Sequence, residues 1–298
     1  MKTSQFAELL LLAAIWGSSF LFMRVGSPEL GPILFSAIRT LIASLFLMSC
    51  VKVMRSTYQL QGIAWHLLIV GQINTAIPFI LFGYATLTLA AGTTSVLNAT
   101  TPMFGALVAY IWLKDKLSLS AIGGLILGFF GVYLLVIDQL AIDSSALFPA
   151  IAAITAAFCY GISANYTKKY LSNVKPLILA TGSQVSATLT ILPLSLFFLP
   201  EQLPTLPAIS SVIAIGVLCT GIAYIIFFRL INALGPAKAI SVTYLIPVFG
   251  LFWGVVFLDE VITSGMIAGG IVILLGVAIT TEFLPFKSRT KTPSGNSA

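Results

Sequence analysis

SVLNATTPMFGALVAYIWLKD, residues 95–115, and SVTYLIPVFGLFWGVVFLDE, residues 241–260, are one phrase written twice. A shift of 145 places Pro102 on Pro247, Phe104 on Phe249, Gly105 on Gly250 and Leu113 on Leu258. The match runs outward through Thr75 and Thr220, Phe82 and Phe227, Leu89 and Leu234, Gly124 and Gly269, and Gly131 and Gly276. At a shift of 144, Trp16 falls on Tyr160, Gly17 on Gly161, Ser19 on Ser163 and Pro32 on Pro176. Self-similarity of this length marks an internal duplication.

The medium follows from composition. The chain is 58% hydrophobic and 8% charged over 298 residues, against about 25% charged in soluble domains. Ten apolar runs can each cross a hydrocarbon core of roughly 30 Å at 1.5 Å per residue. The first five are Phe6–Arg24, Pro32–Val53, Ile63–Leu87, Gly92–Leu113 and Ser118–Ile137. The second five are Ala146–Thr167, Pro176–Leu199, Pro207–Ile231, Pro236–Leu258 and Thr263–Leu284. The expected fold is therefore an all-α membrane protein of ten transmembrane helices, residues 6–137 forming one five-helix repeat and 146–284 the other. Pro32, Pro176, Pro207 and Pro236 each open a run, where a missing N–H costs nothing. Residues 285–298, rich in Lys, Ser, Thr and Gly, read as a disordered tail.

The first run is read as a retained helix, because it has no small-residue cleavage site and Trp16 and Arg24 break the signal pattern. Cys50, Cys159 and Cys219 all lie in apolar runs and read as free thiols.

Charge sets the orientation. With a cytoplasmic N-terminus, that side holds thirteen Lys and Arg, among them Lys52, Lys114, Lys116, Lys168, Lys169 and Lys287, and the other holds only Arg24. Both termini are expected in the cytoplasm. The net charge of +6 is thereby explained without nucleic acid. Because each half has five helices, the second half is inverted relative to the first. Inverted repeats suit alternating access, since one pattern then builds both an inward and an outward gate.

The stretch AAIWGSSFLFMRVG (13–26), the proline that opens the second helix with Arg39 inside it, the repeated proline helix and the Gly-rich fifth and tenth helices together resemble the drug/metabolite transporter superfamily, in particular its ten-helix EamA-type members. The resemblance covers essentially 6–284. It implies a secondary transporter of a bacterial inner membrane, exporting small metabolites such as amino acids. The small four-helix relatives carry a glutamate three residues before the glycine that matches Gly17; here that position is Ala14. Neutral or zwitterionic cargo is therefore favoured over the alternative, a multidrug exporter of organic cations. A non-transporting membrane scaffold is the other alternative.

Candidate cargo contacts are the polar and aromatic groups at mid-depth. Trp16 and Tyr160 head the first helix of each half, and either line a cavity or pack. Arg39 lies about 10 Å inside its helix. It reads either as an anchor for a carboxylate or phosphate or as a structural group, snorkelling toward the outer headgroups or tied to helix carbonyls, and the resemblance favours the structural reading. Asn74, Asn98, Tyr224 and Tyr244 complete the set, with Thr101, Asn165, Gln184 and Ser241 as further polar groups. Pro102 and Pro247 are the expected hinges, each leaving a carbonyl, that of Asn98 or Thr243, without its helical donor. The glycines of the fifth and tenth helices are expected to pack those helices together within one chain, a dimer contact being the alternative. The expected partners are a small-molecule substrate and the lipid bilayer, in a monomer or homodimer. No nucleotide motif, HExxH or metal-spaced Cys/His cluster is present, and His66 is the one histidine. No cofactor, metal or enzymatic activity is expected.

Overall fold

The computed structural model describes residues 3–54, 62–235 and 239–281. They form α1 (Thr3–Leu30), α2 (Pro32–Val53), α3 (Ala64–Ala85), α4 (Ala91–Leu113), α5 (Leu119–Ile142), α6 (Ser144–Tyr170), α7 (Pro176–Ser195), α8 (Leu206–Leu234), α9 (Ile246–Leu258) and α10 (Ser264–Thr280). The first eight are each long and apolar enough to cross a membrane; the last two are shorter. A 3₁₀ turn, Ile240–Tyr244, extends α9 at its start. The start of the ninth run at Pro236, the end of the tenth at Leu284 and the tail 285–298 lie outside the described residues.

Boundaries move where local chemistry allows. α1 runs past the expected end at Arg24 because nothing stops it before Gly31, whose φ of 71° is a conformation that glycine adopts cheaply. Pro32 then starts α2 in its first turn. α3 and α8 each contain a π-helical segment, Gln72–Ala76 and Ile215–Ile222. Shifted by 145, the first becomes 217–221 and falls inside the second, so the irregularity is itself duplicated. π turns of this kind commonly mark functional sites.

The proline helices differ from the sequence expectation. The sequence predicts a continuous α4, kinked at Pro102, with the Asn98 carbonyl left open. Instead the helix stops at Asn98 and restarts at Thr101. The Ala99 and Thr100 amides turn back to Val96 O and Leu97 O at 3.1 and 3.2 Å, and Thr101 Oγ1 donates to Asn98 O at 2.8 Å. A hydroxyl one residue before the proline thus supplies the donor that the proline lacks. In α9 the break falls at Leu245, between the 3₁₀ turn and a restart at Ile246. Both prolines therefore occupy the first turn of a new helix segment, where their missing N–H is no loss.

The two halves interlock. α1 packs on α8 and α9, and α6 packs on α3 and α4 in the inverted equivalent; α2 lies against α7 and α8, and α7 against α2 and α3; α5 pairs with α10. Glycines set the closest approaches. A Cβ on Gly17 would meet Phe249 Cβ at 2.6 Å, and one on Gly161 would meet Phe104 Cβ at 2.9 Å. Between α5 and α10, a Cβ on Gly124 would lie 2.8 Å from Gly276 O, and one on Gly269 3.1 Å from Gly131 O. The glycines of the fifth and tenth helices thus pack within one chain, as small residues do where lipid-immersed backbones meet. The three cysteines are free.

Candidate substrate cavity

Four polar groups from four helices meet in two pairs inside the bundle, one member of each pair standing on a π segment. Thr220, in the π segment of α8, donates to Ile215 O five residues back at 3.0 Å and accepts from Arg39 Nε at 3.2 Å. Its counterpart Thr75, in the π segment of α3, bonds Ser183 Oγ at 2.6 Å. The pairs are one contact used twice, since Arg39 shifted by 144 is Ser183 and Thr75 shifted by 145 is Thr220. The duplication preserves the position and replaces the arginine by a serine, so the site carries its cation on one side only.

Arg39, Ser183 and Thr220 border a cavity of about 520 Å³. Its wall is mostly aromatic and aliphatic, with Phe20, Phe79, Phe82 and Phe227 among the rings, and Ser19, Asn74, Asn98, Thr101, Ser163 and Ser183 among the polar groups. Trp16 Nε1 donates to Cys219 O at 3.2 Å, and its ring packs 5.1 Å from Phe227 and edge-on to Tyr224 at 6.5 Å. Asn74 and Tyr224 both line the same cavity. Tyr160 packs 5.9 Å from Phe82.

Arg39 dominates the electrostatics. It is 6% exposed, and its guanidinium carbon sits 3.4 Å from the centre of the Phe79 ring. Among the described residues no carboxylate lines the cavity, and the ion pairs are Lys168–Asp115 and Arg229–Glu8, neither at Arg39. A buried cation without an anion beside it costs several kcal/mol, which the Phe79 face and the Thr220 hydroxyl offset in part.

Of the residues singled out from sequence, Trp16, Arg39, Asn74, Asn98, Tyr160 and Tyr224 come together on this one cavity. Tyr244 does not border it; its hydroxyl bonds Thr281 Oγ1. Pro102 and Pro247 sit just behind the wall, with their neighbours Thr101 and Ile246 on it. Asn165 is spent on Gly105 O and Gly161 O, at 2.8 and 2.9 Å. Gln184 is fully buried away from the cavity, its side-chain amide without a hydrogen-bond partner among the described residues. Sequence reasoning passed over Ser183 and Thr220 as site residues, although Thr75 and Thr220 already stood in the repeat. Their signal was a polar residue kept in both halves of an apolar bundle.

The cavity has a mouth and a floor. Thr167, Pro176, Ile231 and Ile240, at the lysine-rich helix ends, form the mouth, and Pro176 is exposed. Phe20, Met23 and Phe82, all under 5% exposed, form the floor, where the Phe20 and Phe82 rings meet edge-on at 5.6 Å.

Comparison with known proteins agrees with this architecture. The EamA-like transporter family matches residues 6–137 and 147–282. The "Uncharacterized transporter YoaV" of Bacillus subtilis is 26% identical over 92% of this chain and 95% of its own. A protein of Escherichia coli named "Probable amino-acid metabolite efflux pump" is 22% identical over 96% and 97%. A solved crystal structure, 15% identical, superposes with a TM-score of 0.65 over 95% of this chain and 98% of its own, a likeness of fold. With the family matched across both halves, the chain belongs to the EamA-like transporter family and is a multi-pass membrane transporter.

Proposed function

We propose that the protein exports small neutral or zwitterionic metabolites, amino acids foremost, by alternating access across a bacterial inner membrane. The observation that carries this reading is Arg39, a buried guanidinium facing a cavity with no acid among its described lining residues. A cargo carboxylate supplies the missing charge and accepts from the guanidinium bidentately. Aromatic faces and the Asn74, Asn98 and Ser19 side chains are suited to an apolar body and an ammonium group. An organic cation finds no counter-charge there and meets Arg39. The relative named as an amino-acid metabolite efflux pump supports the same class of cargo. The lysine bias supports a mouth on the cytoplasmic side and hence a carrier loading from within, with Trp16, Tyr160 and Tyr224 as cavity walls.

Counterflow in proteoliposomes tests this. Vesicles preloaded with a mixture of unlabelled amino acids should accumulate a labelled one saturably, and an amino-acid amide, which lacks the carboxylate, should fail to compete. Equal competition by acid and amide refutes the anchor. Labelling from outside intact cells should reach residues beside Asp143 and spare those beside Lys114; the reverse pattern overturns the orientation.

A further inference from the structure

The floor of the cavity is held shut by two charges that grip one connection. Arg24 Nη1 donates to Thr86 O at 2.7 Å and Leu87 O at 2.8 Å, at the end of α3. Glu260 accepts from the Ala91 amide at 2.6 Å and the Gly92 amide at 3.2 Å, at the start of α4. A cation on terminal carbonyls and an anion on initial amides both complement the helix dipoles.

The duplication supplies a second set. Arg24 shifted by 144 is Lys168, Asp115 shifted by 145 is Glu260, and Thr86 and Leu87 shifted by 145 are Ile231 and Asn232. The backbone carries the same equivalence. Lys114 and Asp259 both adopt left-handed conformations, φ 61° and 53°, and the next amides reach six residues back, Asp115 N to Ala109 O and Glu260 N to Gly254 O, each at 3.2 Å. Yet among the described residues Lys168 does not bond the Ile231 or Asn232 carbonyl. Lys168 Nζ pairs with Asp115 Oδ2 at 3.0 Å, with the side chains 64% and 50% exposed, next to Thr167, which lines the cavity together with Ile231. The cationic half of the device is thus engaged on carbonyls at the closed end and paired with its acid at the open one.

We propose that these are alternating clamps that set which end of the cavity is open. The inference rests on the alternating-access reading. When the carrier turns over, Lys168 leaves Asp115 and takes the carbonyls of Ile231 and Asn232, closing the mouth. Arg24 and Glu260 release the 86–92 connection and pair with each other, as Lys168 and Asp115 do now. The balance between two similar clamps keeps both states within thermal reach.

Cysteine reporters at equivalent positions test this without any cargo, in detergent-purified protein. Thr167→Cys reads the mouth and Met23→Cys, 144 residues earlier, reads the floor; the chain with native cysteines alone is the baseline. Glu260→Gln should speed maleimide labelling at Met23→Cys and slow it at Thr167→Cys, each by roughly fivefold. Lys168→Gln should do the opposite. Combining the two should return both rates to within about twofold of the parent, a cancellation that mere destabilisation does not produce. Arg24→Gln serves where Glu260→Gln fails to purify. Unchanged rates in Lys168→Gln, or a double variant whose rates stay as far from the parent as those of either single variant, overturn the clamps. Opposed shifts in a protein that moves no amino acid keep the clamps and refute the cargo instead.

Discussion

Ser44 and Thr188 are 144 positions apart in the chain, and their hydroxyl oxygens are 3.0 Å apart in the structure. Under the duplication's own shift, one residue is the counterpart of the other. A contact between self-equivalent residues lies on the pseudo-two-fold axis, and any change that exchanges the conformations of the two halves maps that contact onto itself. The crossing of α2 and α7 is therefore a fixed point of an alternating-access cycle. A disulfide formed between Ser44→Cys and Thr188→Cys should leave counterflow within about twofold of the reduced protein, because close side chains meet the geometric demand and nothing there needs to move. Arrest on oxidation and recovery on reduction would show that the axis crossing opens during transport.

Close glycine contact between α5 and α10 has a measurable cost when filled. A Cβ on Gly276 would meet Gly128 N at 2.4 Å and Gly128 Cα at 2.5 Å, backbone atoms that can yield only by separating the helices, whereas one on Gly123 meets nothing within 4 Å. Gly276→Ala should destabilise the protein by about 1–3 kcal/mol, seen as earlier thermal unfolding in detergent. Gly123→Ala should leave the transition in place. Equal behaviour of the two variants would mean that this packing does not limit stability.

Arg39 separates charge from shape. Arg39→Lys keeps the cation but loses the flat face over Phe79 and the Nε bond to Thr220. A lysine also offers no bidentate fork. Counterflow of amino acids should fall about tenfold or more, with expression retained. Counterflow in Arg39→Gln should fall further still, and what remains should be inhibited by amino-acid amides as well as by acids. Wild-type counterflow in the lysine variant would assign Arg39 to holding α8 rather than to cargo.

The duplicated phrase and the composition made the ten helices, their inversion and six of the cavity's side chains legible in advance, because apolar periodicity and repeat spacing are one-dimensional signals. Tyr244 was misplaced for a different reason. The 3₁₀ turn before Ile246 rotates it relative to a regular helix, and it reaches Thr281 instead of the cavity. The open carbonyl expected at Asn98 failed likewise, since the rescue by Thr101 Oγ1 depends on where the helix breaks. Arg24 and Glu260 could be read as charges on the same, non-cytoplasmic side, but their joint hold on one connection appears only when α1, α3, α4 and α9 are assembled.

Those broken helices yield the last prediction. At Asn98–Thr101 the chain already interrupts its ladder, and Pro102 keeps the interruption by denying an amide to the Asn98 carbonyl. The Thr101 hydroxyl fills in from a side chain that also borders the cavity. A bond from a rotatable hydroxyl is easier to exchange than a backbone ladder, so the joint can flex where cargo sits, and Pro247 performs the same duty beside Ile246. Replacing either proline by alanine should let the new amide compete with the hydroxyl and draw the two helix segments toward one rod. Turnover in counterflow should then slow about tenfold while half-saturation by the cargo changes less than about threefold, the signature of a lost conformational step rather than a lost contact. Thr101→Val in an otherwise native chain leaves the carbonyl unserved and should also slow turnover. If both alanine variants exchange cargo at the native rate, the prolines only shape the bundle and the flexing joint lies elsewhere.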